Sequence, residues 1–340
     1  MEFNEGILSA VGNTPLVRLN NICTERRIQI YGKLEFLNPG GSSKDRAALE
    51  ILKYAAASGA IQRGSVIVES SSGNMAISLA QICAYHGLKF ICVIDAKTTE
   101  QNIRILKTYG TEIEYVAEPD PHTGEYLTAR LQRVQDLLSR YGNAYWPNQY
   151  ANGHNSKAHY RNTMREISEQ LERVDYLFVG LSTCGTWRGC AEYVRDHGLA
   201  TQIIAVDAAG SVISGPSAGE RMLPGLGAGI VPPLYRREWV DRTIRVTDLD
   251  CVVGCRRLVR REAILAGGSS GGVLTALQYF KESIPDGANC VLIFPDRGER
   301  YLDTIYNDCW VEERFGSVSG LWEDGPQDAS KDGFEDGSAD

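Results

Sequence analysis

The chain has 340 residues, of which 43% are hydrophobic and 23% are charged, a composition typical of a soluble globular enzyme with one or two domains. Its longest apolar runs have only the length of a strand and it has no basic patch, so neither a membrane nor a nucleic acid is an expected partner. The first residues include acids where a secretory signal would be basic, and we therefore expect a cytoplasmic enzyme.

The net charge of −8 is concentrated near the C-terminal end of the sequence. Residues 316–340 contain seven acidic residues and one lysine, so this segment carries −6 and the remainder is nearly balanced at −2. Because the segment is also rich in Gly, Ser and Asp, we predict an acidic, disordered tail there.

The nine cysteines are scattered, and none belongs to a Cys-x-x-Cys pair. This pattern favours buried, reduced thiols over disulfides, and we expect no metal site. Cys184 differs from the others because it falls inside a candidate ligand loop. For it we favour a packing or backbone role over a catalytic one.

Predicted strands and helices alternate along most of the chain. Residues 7–20 indicate a helical turn, a Gly-Asn-Thr-Pro turn and a strand. Further strands are predicted at 29–34, 66–68, 90–94, 112–116, 177–181, 203–206 and 290–294. Helices are predicted after Lys44 and at 75–86, 99–109, 125–140, 158–173, 187–197 and 273–280. The alternation predicts an α/β fold with largely parallel sheets, and residues 142–155 an irregular crossover between two lobes.

Lys44 lies between a Gly-rich turn and the start of a predicted helix. A helix N-terminus and burial both disfavour an ammonium ion, so both lower the pKa of a lysine placed there. A neutral amine is what Schiff-base chemistry requires. The alternative is a solvated lysine in a first helical turn, and the loops further along favour the catalytic interpretation.

Three loops rich in Gly and Ser lie at or near the ends of predicted strands or the starts of helices, at 69–74, 182–186 and 267–272. Folds of this class bind ligands where a strand's carboxyl end meets the next helix. Each loop alone is also typical of a capped helix start. Together with Lys44, the three loops predict one polyanionic ligand held at several points.

Seven motifs occur in a distinctive order: 12–16 (GNTPL), 38–46 (NPGGSSKDR), 71–74 (SSGN), 149–150 (QY), 225–229 (GLGAG), 267–271 (GGSSG) and 294–296 (FPD). In order and approximate spacing the chain resembles the cysteine synthase / cystathionine β-synthase family over about residues 5–312. The resemblance implies pyridoxal-phosphate fold type II, which is tryptophan synthase β-like, with two lobes that each hold a largely parallel sheet flanked by helices. Residues 1–37 and 145–315 would form the larger lobe and 38–144 the smaller, mobile lobe that carries the carboxylate loop, with the cofactor between them.

The resemblance also implies the cofactor, pyridoxal 5'-phosphate, and the residues that hold it. Lys44 would join the cofactor covalently and later move the substrate α-proton, and Asn74 would bond the ring hydroxyl. The cofactor phosphate would lie against Ser182, Thr183, Cys184, Gly185 and Thr186. Ser269 would face the pyridine nitrogen, and because a serine leaves that nitrogen essentially neutral, the expected chemistry is prompt β-elimination.

Substrate positions follow from the same matches. The α-carboxylate would be held by Ser71, Ser72, Gly73 and Gln149. Arg130 is a candidate for binding a substrate phosphate or a glutamate side chain, and the alternative is an exposed helix arginine. Tyr150 is a candidate for lining the substrate cavity, and the alternative is lobe packing. A homodimer acting on small amino-acid substrates is implied by the family.

The expected reaction is a β-replacement that follows a ping-pong mechanism through an aminoacrylate. The stretches 148–152, 206–212, 223–227 and 296–303 most resemble the branch that joins O-phospho-L-serine to L-glutamate for diaminopropionate and siderophore synthesis. Ser182 and Cys184 replace two glycines of the usual cysteine synthase phosphate loop, which fits that branch better than sulfide chemistry. The alternatives are an O-acetylserine or O-phosphoserine sulfhydrylase and a catalytically silent, anion-binding scaffold.

Overall fold

The computed structural model describes residues 1–122, 124, 126–215, 218–318 and 320–323. The strands within these ranges are β1 Leu16–Arg18, β2 Gln29–Leu34, β3 Val66–Ser70, β4 Lys89–Asp95, β5 Glu112–Val116, β6 Ala144–Tyr145, β7 Tyr176–Gly180, β8 Gln202–Ala208, β9 Arg242–Val246 and β10 Asn289–Phe294. The α-helices are α1 Lys44–Ala57, α2 Asn74–His86, α3 Glu100–Thr108, α4 Tyr126–Arg140, α5 Gly153–Ala158, α6 Arg165–Gln170, α7 Gly185–Asp196, α8 Asp248–Glu262, α9 Gly268–Phe280, α10 Asp308–Phe315 and α11 Gly320–Glu323.

Shorter helices complete the described elements. A π-helix, His159–Met164, joins α5 to α6. The 3-10 helices are Gly6–Ala10, Glu35–Leu37, Arg237–Trp239, Lys281–Ser283 and Gly298–Tyr301.

Two sheets organise the molecule. The six-stranded sheet has the order β1-β2-β10-β7-β8-β9, and the four-stranded sheet has the order β5-β4-β3-β6. All neighbouring strands pair in parallel except β1, which is antiparallel to β2. The strands of the smaller sheet come from one continuous stretch of sequence, residues 66–145, whereas strands on both sides of that stretch form the larger sheet. The predicted fold class, two lobes with largely parallel sheets flanked by helices, is confirmed.

Helices cover both faces of each sheet. In β7, Phe178 packs in a core with residues of α8 and α9, whereas Leu177 packs on the opposite face with residues of α7. In β3, Ile67 packs with α1 and α2, whereas Val66 and Val68 pack with α4. Strands buried on both faces have no polar side to alternate with, which is why they are continuous apolar runs in the sequence.

The structure corrects three local predictions. Residues 142–155 are not irregular throughout, because they contain β6 and the start of α5, which Asn152 caps by accepting a hydrogen bond from the N–H of His154 at 3.0 Å. The predicted helix at 158–173 is three consecutive segments with a π-helix in the middle. The Gly/Ser stretch 267–272 is not a loop before a helix but the cap and first turn of α9.

The chain remains packed beyond residue 315. Trp322, in α11, is buried against the core that contains α8, and the Arg256 guanidinium lies 5.4 Å from its ring centroid. The first residues of the predicted tail therefore do not all lie free in solvent, because burial of a large aromatic side chain such as Trp322 is favourable. Residues 324–340, which carry most of the predicted acidic tail, lie outside the described residues. Within the described ranges, no helix is both long and apolar enough to cross a membrane.

Candidate active site

Lys44 is the first residue of α1 and is held by the turn before it. The N–H of Ser43 donates to the carbonyl oxygen of Pro295, just after β10, at 2.8 Å. The N–H of Gly40 donates to Asp45 Oδ2 at 2.6 Å. Gly41 has a φ of +86°, a conformation that a side chain would strain. The turn thus fixes the start of α1 against the larger sheet, and Lys44 with it.

Burial lowers the pKa of the Lys44 amine, and the nearby negative charge of Asp296 opposes that shift without reversing it. The sequence-based expectation of a depressed lysine pKa is therefore met at this position. A larger fraction of neutral amine at Nζ makes Lys44 a better base and nucleophile at neutral pH than an exposed lysine.

One cavity joins Lys44 to two of the predicted loops. It is lined by Lys44, by all five residues of the stretch 182–186 and by Ser269, together with Gly225 and residues of β7 and β10. These positions are far apart in sequence and meet because the carboxyl ends of parallel strands lie at the same edge of a sheet. The structure therefore brings together the lysine, the predicted phosphate loop and the serine predicted to face the pyridine ring.

The stretch 182–186 links β7 to the first turn of α7. Cys184 caps this helix with a φ of 64°, in the left-handed region, and its own side chain accepts no hydrogen bond from the helix's first N–H groups. Its thiol is buried in the core on the α7 face, and burial raises its pKa. Cys184 thus packs its side chain in this core while its backbone lines the cavity, and its role toward a ligand stays a prediction.

Two residues behind this stretch were missed by the sequence analysis. Asn155 Nδ2 donates to Thr183 Oγ1 at 3.3 Å, and His159 Nε2 lies 3.2 Å from Thr186 Oγ1. A Cβ at Gly185 would fall 2.0 Å from Asn155 Oδ1, so only glycine allows this contact. Asn155 and His159 are fully buried polar residues on α5 and the π-helix. Nothing in their sequence surroundings indicated which loop they would touch.

Asn74, the first residue of α2, faces the same region from the smaller sheet. Its Nδ2 donates to Asp296 Oδ2 at 2.8 Å, and the Tyr301 hydroxyl donates to the same oxygen at 2.7 Å. Asp296 Oδ1 is buried and has no hydrogen-bond partner in the described part of the chain. The sequence analysis recognised Asp296 only as part of a motif, and the structure adds its contact with Asn74.

The predicted carboxylate loop follows β3. Ser71 Oγ accepts from the N–H of Ala76 at 3.3 Å, and the carbonyl oxygen of Ser72 accepts from Asn102 Nδ2 at 2.9 Å. Gly73 caps α2 without a side-chain hydrogen bond. Gln149 is buried, and its N–H donates to Glu69 Oε2 at 3.3 Å, so the crossover contacts the strand that leads into this loop. These four residues do not line the cavity around Lys44.

Arg130 and Tyr150, the two other predicted substrate residues, come from α4 and from the segment between β6 and α5. Arg130 lies on α4 with a side chain only 13% exposed, and its Nε is 3.2 Å from Asp95 Oδ2, so it is not an exposed helix arginine. Burial raises the pKa of the Tyr150 phenol, and the positive charge of Arg130 is the main influence that lowers it. The guanidinium is thus close enough to act on Tyr150 through its charge.

The arrangement around Lys44 fits a phosphate ester. The 12-residue helix α7 presents uncapped N–H groups to the cavity, and a helix N-terminus with such groups favours an anion. Thr183 and Thr186 add hydroxyls whose partners behind the loop fix their positions. A larger cavity, of about 450 Å³, lies beside the N-terminal segment and α1, but it includes none of the predicted site residues. Because the predicted site residues line only the smaller of these two cavities, we take the cavity around Lys44 as the candidate site.

Comparisons with known proteins agree with this geometry. The structure is similar to a hydrogen sulfide-producing enzyme from Fusobacterium nucleatum, with 34% identity, 88% of this chain and 99% of that one covered, and a TM-score of 0.82. It is also similar to O-ureido-L-serine synthase, with 28% identity, coverage of 94% and 98%, and a TM-score of 0.84. A third similar structure is the O-acetylserine dependent cystathionine β-synthase from Helicobacter pylori, with 28% identity, coverage of 90% and 100%, and a TM-score of 0.83.

The family model described as "pyridoxal-phosphate dependent enzyme" matches residues 7–296, which include Lys44, the stretch 182–186 and Ser269. The chain therefore belongs to this family of pyridoxal-phosphate dependent enzymes, and pyridoxal phosphate is its cofactor.

Proposed function

We propose that the chain catalyses a β-replacement that joins O-phospho-L-serine to L-glutamate and releases phosphate. The C–O bond to phosphate breaks, a bond forms between the serine β-carbon and the glutamate nitrogen, and the product is N-(2-amino-2-carboxyethyl)-L-glutamate. This compound would serve as a precursor of L-2,3-diaminopropionate for siderophore synthesis. The proposal thus names the enzyme as N-(2-amino-2-carboxyethyl)-L-glutamate synthase, a β-substituted alanine synthase.

The observation that carries the proposal is the buried cation beside Tyr150. Arg130 has a mostly buried guanidinium whose charge acts on the Tyr150 phenol. The substrates of an O-acetylserine sulfhydrylase bring neither a phosphate nor a second carboxylate, whereas O-phospho-L-serine and L-glutamate each bring such a group for a buried guanidinium. Ser182 in the phosphate loop, which adds a hydroxyl where cysteine synthases have glycine, supports the same branch.

Each proposed residue has a defined task. Bound pyridoxal phosphate supplies the electron sink that allows the β-leaving group to depart once the α-proton is removed. Lys44 Nζ accepts that proton and returns it at the end, which the lowered pKa of its amine favours. The stretch 182–186 and Asn74 hold and orient the cofactor, and Ser269 faces its ring. Ser71, Ser72, Gly73 and Gln149 hold the α-carboxylate.

A second candidate function is that of an O-acetylserine or O-phosphoserine sulfhydrylase, that is, a cysteine synthase. Its support is the 34% identity to a hydrogen sulfide-producing enzyme. The first half of the reaction is common to both candidates, so the nucleophile distinguishes them. In either case we infer that the working enzyme is a cytoplasmic homodimer in which the smaller lobe, residues 38–144, moves relative to the larger one.

The deciding experiment is a competition for the second substrate. The holoenzyme receives O-phospho-L-serine with equal concentrations of sulfide and L-glutamate, and products are identified by mass spectrometry. We expect the glutamate adduct to dominate. Dominance of cysteine would overturn the proposal in favour of the sulfhydrylase. The same assay with Lys44→Ala is the matched control, because product that persists without the lysine does not come from this site.

A further inference from the structure

Arg221 lies in the long loop between β8 and β9, four residues before Gly225, which lines the cavity around Lys44. Its side chain is partly buried, and its Nε is fully buried without a hydrogen-bond partner in the described part of the chain. Arg221 also forms no ion pair with an acidic side chain among the described residues. A buried donor on a charged group is costly to leave unpaired, so the loop is arranged for an anion that the chain itself does not supply.

The surroundings of Arg221 connect it to the substrate end of the site. Burial raises the pKa of the Tyr150 phenol, while the positive charges of Arg130 and, more weakly, Arg221 act to lower it. Arg130 comes from α4, beside the four-stranded sheet, and Arg221 comes from a loop of the six-stranded sheet. The two cations that influence Tyr150 therefore come from different lobes.

The two arginines differ in how their charges are compensated. Arg130 Nε lies 3.2 Å from the buried carboxylate of Asp95. Arg221 has no comparable partner among the described residues, so it has the larger unmet demand for a negative charge. A planar guanidinium matches a carboxylate with two parallel hydrogen bonds, which a neutral amide matches poorly.

We propose that Arg221 is a specificity residue that binds the side-chain carboxylate of the incoming dicarboxylic amino acid. This inference rests on the proposed function, because it assigns the second charge of that same nucleophile to a named residue. Arg221 acts by positioning and by charge, and takes no part in proton transfer. An enzyme built this way selects a nucleophile with a second carboxylate over one with an amide at the same place.

The test uses equilibrium binding to the holoenzyme of two unreactive probes, glutarate and its monoamide glutaramate. We expect the wild type to bind glutarate at least about tenfold more tightly than glutaramate, as a charge-assisted bidentate pair would give. Arg221→Gln should bring this ratio close to one, and Arg221→Lys, which keeps the charge but not the fork, should leave an intermediate ratio. Arg63→Gln is the matched control, since exposed Arg63 precedes β3 at the end away from the carboxylate loop.

An unchanged ratio in Arg221→Gln would overturn the inference, and so would a wild type that does not distinguish the two probes. This binding test and the test of the proposed function can fail independently. The proposed function is decided by the wild-type competition between sulfide and glutamate. If cysteine is the product while Arg221→Gln abolishes the preference for glutarate, the function fails and the anion site stands. If the glutamate adduct forms and the ratio is unchanged, the function stands and Arg221 is not the residue that recognises the second carboxylate.

Discussion

Cys184 occupies a backbone position that suits glycine. Its backbone φ of 64° lies in the left-handed region, which costs an L-residue about 1–2 kcal/mol. The thiol nevertheless fills space in the core beside α7. Backbone strain and side-chain packing therefore oppose each other at one residue of the predicted phosphate loop.

This opposition predicts an inverted order of stability for two small replacements. Cys184→Gly and Cys184→Ala both lose the buried sulfur, but only glycine relieves the strain, so the glycine variant should be the more stable by about 1 kcal/mol. The measurement is urea unfolding of both variants. Ala191→Gly, within α7, is the control, and it should show the ordinary preference for alanine, by about 1 kcal/mol. A Cys184→Ala variant more stable than Cys184→Gly would contradict the argument.

At the scale of elements, Glu69 joins the end of β3 to the crossover between the sheets. Its carboxylate accepts hydrogen bonds from Trp146 Nε1 at 3.0 Å, from the N–H of Ser70 at 2.9 Å and from the N–H of Gln149 at 3.3 Å. Burial raises the pKa of this carboxyl to about 7, although the hydrogen bonds oppose the shift. The Glu69 carboxyl, which titrates near neutrality, therefore connects the strand before the predicted carboxylate loop to the crossover.

The raised pKa predicts how stability depends on pH. Between the usual glutamate pKa of about 4.5 and about 7, the folded chain holds a proton that the unfolded chain has lost, so this contribution to stability is complete at low pH and declines as pH rises through this window. We expect the free energy of unfolding of wild type, relative to Glu69→Gln, to fall by roughly 2–3 kcal/mol from about pH 4.5 to about pH 8.

Urea unfolding at a series of pH values measures the effect. Glu118→Gln, at an exposed position, is the control and should follow the wild type at every pH. A difference between wild type and Glu69→Gln that is constant, or that grows in favour of wild type as pH rises, would show that Glu69 is ionised throughout this range.

The elements that the sequence predicted well are those with long apolar patterns, such as β4 and α2. The sequence analysis did not predict β6, because two residues carry no periodicity, or β9, whose Arg-Thr-Ile-Arg-Val sequence has the polar alternation of an edge strand. It also placed Ser269 in a loop, because glycine-rich sequence is unfavourable for helices. Close packing overrides that tendency, since a Cβ at Gly271 would lie 2.0 Å from the carbonyl oxygen of Cys251 in α8.

The residues of the candidate site were likewise predictable only where a continuous sequence pattern contains them. Lys44, the stretch 182–186 and Ser269 were predictable because contiguous motifs carry them, and the structure brings them to one cavity. His159 and Asn155 were not predictable, because each is a single polar residue whose partner is distant in sequence. Only the packing of α5 and the π-helix against α7 brings these two side chains to the stretch 182–186.

At the scale of the whole molecule, a buried ionic network ties the N-terminal segment to both lobes. Arg46, on α1, donates to Glu35 Oε2 and to Glu166 Oε1, each at 2.6 Å. Lys33, on β2, donates to Glu166 Oε2 at 2.8 Å and to the carbonyl oxygen of Thr14 at 2.6 Å. Burial raises the pKa of the Glu166 carboxyl, but the hydrogen bonds and charges of Arg46 and Lys33 outweigh it and the net shift is downward. Two cations and two anions thus balance inside the protein.

Removing one charged residue of this network should therefore lower the free energy of unfolding much more than removing an oppositely charged pair. Glu166→Gln leaves an uncompensated buried cation, and we expect it to lower the free energy of unfolding by about 3–5 kcal/mol. Lys33→Met combined with Glu166→Gln restores the charge balance and should recover part of that loss. Urea unfolding measures all variants, with Glu169→Gln, exposed on the same helix α6, as the control. A loss below about 1 kcal/mol in Glu166→Gln would mean that the network is not strongly coupled.

The distribution of thiols has a practical consequence for these experiments. Eight cysteines are buried and Cys309 alone is exposed, and all nine are free. The native chain therefore offers one sulfhydryl to an aromatic disulfide reagent, and the denatured chain offers nine. The chain carries its own chemical reporter of global unfolding, and a fluorophore attached at Cys309, in α10, would label the protein without introducing a new residue.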